Sequence, residues 1–395
     1  MQDSDSPLSR VQTLDHWRYL GNRLQERCRA RAALHTPRQA GMVTLATAGY
    51  NGNLGDQALH QITARVLRQQ GLPSRGIDYC HADRWRCIRS GLIMAGGEIG
   101  DNAHFRALMT MQPDPQRCAV IGVAPTNVFL RDPDPQVLAY LRQVPVLAVR
   151  HRSGQQHLQQ LLATAEAGPE TSAGRVCSTP DLAFAALSPD LLLPEPQSRQ
   201  PCIGVNLLPL YLNFTRSGRF VPAADLGPML AINCPDFNLE AATLGYVATM
   251  RRMLHTMRAL GYRILHCPFS VADAAFAALV DPMAGPLPLG RCHTFAGMLR
   301  RMARCEVVVA TRFHAHIAAL MTRTPLISFA VAGKTMQLLQ DLSLAPGLDR
   351  IQLASGGFSG DQVWTAPRQV LSSVRCQELM QQAQFVIQSA AEAVA

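Results

Sequence analysis

A chain of 395 residues, 48% apolar and 16% charged, is long enough for two domains that each bury a core. No apolar run approaches the roughly 20 residues of a membrane-spanning helix, the polar start MQDSDSPLSR lacks a signal-peptide pattern, and the eleven cysteines contain no CxxC pair, which argues against a disulfide framework or a zinc ribbon and for a cytoplasmic protein. The formal net charge of +9 suits an anionic substrate or surface.

Residues 1–40 are expected to form a basic helical extension, because HWRYLGNRLQERCRARAALHTPR carries six arginines against the single acid Glu26. Trp17, Leu20 and Leu24 stand at helical spacing, so the segment reads as a solvated helix packed on the domain behind it, with peripheral contact to an anionic membrane, at its inner face, as the functional alternative. Nucleic acid is not expected as a partner, since there is no zinc finger, no aromatic-basic motif of an RNA-binding sheet and no heptad-bearing basic region.

From residue 42 short apolar runs alternate with amphipathic stretches of ten or more residues. MVTLATA precedes DQALHQITARVLRQQG, GLIMAGG precedes NAHFRALMTM, CAVIGVAP precedes DPQVLAYLRQ, and PVLAVR precedes GQQHLQQLLATA. That order predicts a doubly wound parallel sheet over 41–195. The proline-rich LSPDLLLPEPQSRQP marks a boundary near 190–201. The pattern restarts with CIGVNLL and runs through AATLGYVATMRRMLHTMRALG, YRILHCPF, TFAGMLRRMARC, EVVVAT and AHIAALMTR, predicting a second domain over 200–365. A closing helix of about 366–392, within 366–395, could cross back to the first domain. In doubly wound sheets ligands bind beyond the carboxyl ends of the strands, so two such domains facing a cleft would surround one site.

Four stretches carry candidate chemistry. In GYNGNLGDQAL the glycines Gly49, Gly52 and Gly55 permit a sharp turn and close backbone approach, and Asp56 stands where a helix N-cap belongs. MAGGEIGDN places Gly96, Gly97, Glu98 and Asp101 at the end of another strand; for both stretches the plain alternative is a structural turn. In VVVATRFHAHIAAL the strand ends at Ala310 and a helix follows at once, putting Arg312 and His314 at a positive helix terminus suited to anions. His316 is two residues from His314, hence on another side of the helix, so the pair is not a metal chelate and His316 reads as packed. Finally, FAVAGKTMQLL holds Lys334, the only lysine among 37 basic residues. A P-loop would need glycine at position 328, which is Ser328, so that reading is set aside. In a chain that otherwise uses arginine, a retained lysine points to a site where a compact ammonium is required, against the alternative of a chance residue on a helix surface.

Taken in order, Asn53, Gly55 and Asp56 in GNLGDQAL, Gly96 with Gly97, Arg150 and Ser153 in AVRHRS, Asp181 in STPDLAF, ATRFHAHIAAL and Lys334 resemble the polysaccharide pyruvyl transferase family over about 42–345. The resemblance implies a GT-B-like α/β fold of two Rossmann-like domains, with the acceptor on the first and the donor on the second. It implies transfer of the enolpyruvyl unit of phosphoenolpyruvate onto sugar hydroxyls to form a pyruvate ketal, with a sugar or lipid-linked oligosaccharide as acceptor and no cofactor or metal. Under it His314 is the acid, Arg312 and Lys334 cradle phosphate and carboxylate, and Asp56 or Glu98 serves the acceptor; Asn53, Gly55, Gly96, Gly97 and Arg150 complete the substrate contacts. Two positions depart from the family: Val331 where a tyrosine is frequent, and Leu207 where many members have a basic residue near the start of the second domain. A nucleotide-sugar glycosyltransferase of the same architecture and a non-catalytic sugar- or anion-binding relative remain open at this point.

Overall fold

A computed structural model describes residues 42–48, 53–78, 90–97, 99–163, 176–186, 201–215, 219–223, 238–284, 293–345 and 368–395. The basic segment of 1–40, Glu98 and the proline-rich stretch of 191–200 lie outside them. The chain divides into two compact units, one holding the described residues 42–186 and 373–395, the other 201–372.

In the first unit the apolar runs become strands because every residue of β1 (Val43–Thr47), β3 (Leu92–Ala95) and β4 (Cys118–Val123) is buried, as a sheet covered on both faces requires. With β2 (Ser74–Asp78), β5 (Val146–Val149) and β6 (Val176–Ser178) they form a wholly parallel sheet of order β2-β1-β3-β4-β5-β6. The edge strands β2 and β6 went unread in the sequence because an edge needs no continuous apolar run, and SRGID has none. Helices α1 (Leu54–Gln69), α2 (Asn102–Met111), α3 (Asn127–Arg131), α4 (Pro135–Leu141) and α5 (Arg152–Ala163) fill the crossovers.

The second unit repeats the plan on a smaller scale. Strands β7 (Cys202–Asn206), β10 (Arg263–His266), β11 (Val307–Ala310) and β12 (Leu326–Ser328) pair in parallel in the order β10-β7-β11-β12, and β8 (Leu212–Phe214) with β9 (Phe220–Pro222) makes a separate antiparallel hairpin. Its helices are α6 (Leu239–Ala259), α7 (Val271–Val280), α8 (Phe295–Met302), α9 (Phe313–Met321) and α10 (Gly333–Asp341). The core joins Ile203, Val205, Met250, Val309 and Ile327 to Tyr246, whose ring stacks on Phe276 at 5.5 Å.

The last helix, α11 (Ser373–Val394), belongs to the first unit. It buries Cys376, Leu379, Ala383, Ile387 and Ala390, an apolar stripe at helical spacing. Gly91 lets its end close on the start of β3, since a Cβ at Gly91 would collide with Val394.

Candidate functional site

Strand order reverses between β1 and β3 in the first sheet and between β7 and β11 in the second, the switch points where doubly wound sheets hold ligands. Most of the residues singled out in the sequence fall at these two edges.

At the first switch point Asn53, not Asp56, is the N-cap of α1: its side-chain oxygen accepts the Gly55 N–H at 2.9 Å. Asp56 is the third residue of the helix. It lies in the first turn, where a carboxylate gains from the helix dipole without capping. The expectation of Asp56 as cap is corrected because the amide side chain three residues earlier already satisfies the terminus. Gly96 and Gly97 adopt φ of +68° and +87°. A Cβ on Gly96 would come within 2.7 Å of Leu59 Cδ1, so glycine is what lets α1 pack on the end of β3. One turn beyond Asp56, His60 Nδ1 lies 3.0 Å from the hydroxyl of Thr47, the last residue of β1. Burial lowers the His60 pKa to about 4, which keeps the ring neutral at neutral pH. The sequence reading passed over both residues.

Arg150 follows β5 and is buried. Its Nη1 lies 3.2 Å from Asp181 Oδ2, with the two side chains 2% and 1% exposed, and Asp181 also accepts the Ala183 N–H at 2.9 Å. The AVRHRS and STPDLAF motifs therefore meet as one ion pair at the carboxyl ends of two neighbouring strands. Arg150 Nη1 is thus held by Asp181, and the pair supports the turn after β5.

At the second switch point Arg312 is the N-cap residue of α9, as the sequence suggested, but it provides no side-chain cap. Its guanidinium turns to Asp273: Nε lies 2.7 and 2.6 Å from the two carboxylate oxygens, and Nη2 lies 2.6 Å from Oδ1 and 2.9 Å from Ser270 Oγ. Asp273 is buried and also accepts the Phe269 N–H at 2.9 Å. Asn206, the last residue of β7, accepts the Arg312 N–H at 2.9 Å and donates to Cys267 O at 2.9 Å, locking the start of α9 to the neighbouring strand. Neither Asp273 nor Asn206 was singled out in the sequence. Asp273 sits in VADAAFAALV, an apolar run with no amphipathic period to mark it as a helix.

His316 is pinned between Arg312 O at 2.7 Å and Ser328 Oγ at 2.8 Å, and full burial lowers its pKa to about 4. It is a packed, neutral histidine that holds the strand-to-helix turn. His314, in the first turn of α9, is also largely buried, at 7% exposed: its ring meets Phe313 edge-on at 5.2 Å, and Lys334 Nζ sits 5.7 Å from the centre of the Phe313 ring. Lys334 is thus brought to the start of α9. Lys334 itself lies in the first turn of α10, whose N-cap, Ala332, also lacks a side-chain cap. Helices α1–α4 and α6–α8, by contrast, are each closed by an Asn, Asp, Ser or Thr side chain. Two adjoining helix termini left without side-chain caps, beside a lysine and a histidine, have the chemistry to hold an anion. Val331 and Leu207, the two departures, are both buried in the core of this unit. Neither side chain can offer a polar contact to a ligand. Among the described residues no group of three or more His, Cys, Asp or Glu could hold a metal ion.

The chain is thus built as two doubly wound parallel-sheet α/β units, each with a switch point. The chain belongs to the polysaccharide pyruvyl transferase family, whose model matches residues 53–333. Among curated proteins none matches. In three dimensions it is similar to a putative UDP-N-acetylglucosamine 2-epimerase from Listeria monocytogenes, with a TM-score of 0.46 and 8% identity over 89% of this chain and 94% of that one. It is also similar to a UDP-GlcNAc 2-epimerase from Neisseria meningitidis, with a TM-score of 0.45 and 8% identity over 89% and 97% of the two chains. A functionally uncharacterised protein from Klebsiella pneumoniae gives a TM-score of 0.35 and 13% identity over 81% and 92%.

Proposed function

We propose that the protein transfers the enolpyruvyl unit of phosphoenolpyruvate onto two hydroxyls of a sugar in a polysaccharide or glycan precursor, closing a pyruvate ketal. The observation that carries this reading is the gathering of His314, Phe313 and Lys334 at the adjoining starts of α9 and α10. A donor with a phosphate and a carboxylate needs cations and main-chain N–H groups for both, and a proton source beside them.

In the proposed sequence His314 protonates C3 of the donor, leaving an oxocarbenium-like centre at C2. A sugar hydroxyl attacks C2 and yields its proton to an acceptor-side carboxylate, for which Asp56 and Glu98 are the candidates. Phosphate then departs with the C2–O electron pair, Lys334 and the helix termini stabilising its charge. A second hydroxyl adds to C2, its proton passing to His314, which restores the acid and completes the ketal. Arg312 orients the turn and keeps Nη1 for the donor. Phosphoenolpyruvate as donor also favours a cytoplasmic site of action. The test is phosphate release from phosphoenolpyruvate in the presence of a panel of sugar acceptors; release that requires both donor and acceptor supports the reading, and release with neither acceptor nor ketal product counts against it.

A further inference from the structure

We propose that the outward face of α6, together with the end of α7, docks this protein on an anionic lipid bilayer. The proposal goes beyond pyruvyl transfer and is read out by binding, so it stands or fails separately from that activity.

The stretch 241–272 contains no aspartate or glutamate, while it holds Arg251, Arg252, Arg258 and Arg263. On α6 the residues Leu244, Ala248, Arg251, His255 and Arg258 recur at the spacing of one helical stripe, and the opposite stripe, Tyr246, Met250, Met253 and Met257, is buried in the core. The outward stripe is therefore cationic and apolar with no acid between its members, and Glu240 in the first turn is the acid the helix carries.

The end of α7 adjoins that stripe. Arg251 donates to Leu279 O at 3.0 Å, and Arg258 pairs with Asp281 at 2.6 Å, where Met283 follows with its N–H on Asp281 Oδ1 at 3.2 Å. Leu244, Leu279 and Met283 are 64%, 39% and 75% exposed, and Leu279 lies against the exposed Arg251. Asp273 is buried against Arg312, and Asp281 is buried against Arg258 and His266, so Arg258 is compensated and the outward charge rests on the exposed Arg251 and Arg252, whose hydrogen-bond partners Leu279 O and Thr249 Oγ1 are neutral. Cations at headgroup level with apolar side chains reaching just beneath is the chemistry of a peripheral face on an anionic membrane.

The test is co-sedimentation of the full chain with vesicles of phosphatidylcholine and phosphatidylglycerol, and with phosphatidylcholine alone. The wild type should bind only the anionic vesicles and lose affinity as salt rises. Arg251→Glu with His255→Glu should weaken binding at least about tenfold, although the arginine-rich segment of 1–40 is untouched in that variant. Leu244→Ser with Met283→Ser, both at exposed positions, should also weaken it, and circular dichroism checks that each variant is folded. Equal binding by the charge-reversed protein, or no preference of the wild type for anionic vesicles, overturns the proposal. So does a change in oligomeric state by light scattering with vesicle binding unaltered, which would make the face an interface between copies of the chain.

Discussion

Arg312 and Asp273, 39 residues apart in sequence, are held in a two-point contact in which Nε and Nη2 of the guanidinium engage the carboxylate at 2.6 to 2.7 Å. The charge at the head of α9 is compensated before any ligand arrives, and among the described residues Nη1 is the guanidinium nitrogen left without a hydrogen bond. The net cationic field at the second switch point therefore rests on Lys334 and the helix termini.

Asp273→Asn should cost about 2–4 kcal/mol of stability, because it leaves a partly buried guanidinium without its counter-charge. Arg312→Lys should be nearly as harmful, since an ammonium cannot reproduce the two-point contact. Urea unfolding of both variants and of Asp273→Asn with Arg312→Gln checks this. The double variant should be less destabilised than the sum of its parts by at least about 1 kcal/mol; simple additivity would show that the contact is not energetically coupled.

Lys334→Arg should lower kcat/KM for phosphoenolpyruvate almost as far as Lys334→Ala. The Lys334 ammonium stands over the Phe313 ring at 5.7 Å, and a planar guanidinium on a longer stem would spread its charge and place it differently from a compact ammonium. An arginine variant with wild-type kinetics would reduce the solitary lysine to an accident of composition.

How far the sequence went can be judged residue by residue. The alternation of buried runs and amphipathic helices located β1, β3, β4, β5, β7 and β11 and their helices, because central strands of a covered parallel sheet must be apolar throughout. The turn at Arg312 and the packed character of His316 were equally legible, since a strand that passes at once into a helix leaves few geometries. Helix α7 was missed, and with it Asp273: an alanine-rich run buried nearly all round has no polar face to reveal it. The ion pair of Arg150 went unread for a different reason. Its partner Asp181 lies 31 residues away on the neighbouring strand end, and a single sequence does not say which strands are neighbours. The cap of α1 failed by three residues, because Asn53 and Asp56 are both good caps and local sequence does not choose between them.

His314→Gln keeps a hydrogen-bonding side chain but removes a titrating proton donor, so turnover should fall by about 100-fold to 10,000-fold with a smaller change in the apparent KM. Steady-state kinetics with phosphoenolpyruvate varied would reveal this pattern. Near wild-type turnover would move the acid elsewhere and make Glu98 the next residue to replace.

The buried His316 sets a pH dependence of stability. Its pKa is near 6.5 when unfolded and is lowered to about 4 in the folded protein, so between these values the unfolded chain binds the extra proton. Stability is therefore full above about pH 6.5, falls as pH drops toward 4, and gains no further loss from this group below that, with roughly 3 kcal/mol at stake. Urea unfolding at several pH values should show this decline, to which the buried His60 adds in the same window, and His316→Gln should reduce it without abolishing it while lowering stability at neutral pH through its lost contacts to Arg312 O and Ser328. An unchanged pH profile in the variant would assign the decline to other groups.

The most direct measurement is turnover in deuterium oxide with phosphoenolpyruvate and a sugar acceptor, following phosphate release and examining the product by mass spectrometry and nuclear magnetic resonance. Protonation of C3 before attack at C2 predicts one phosphate released per ketal formed and one deuterium in the ketal methyl group, with both signals lost together in His314→Gln. Transfer supported by a nucleotide sugar instead, or phosphate release with no pyruvate ketal on the acceptor, would contradict the assignment of this site to pyruvyl transfer.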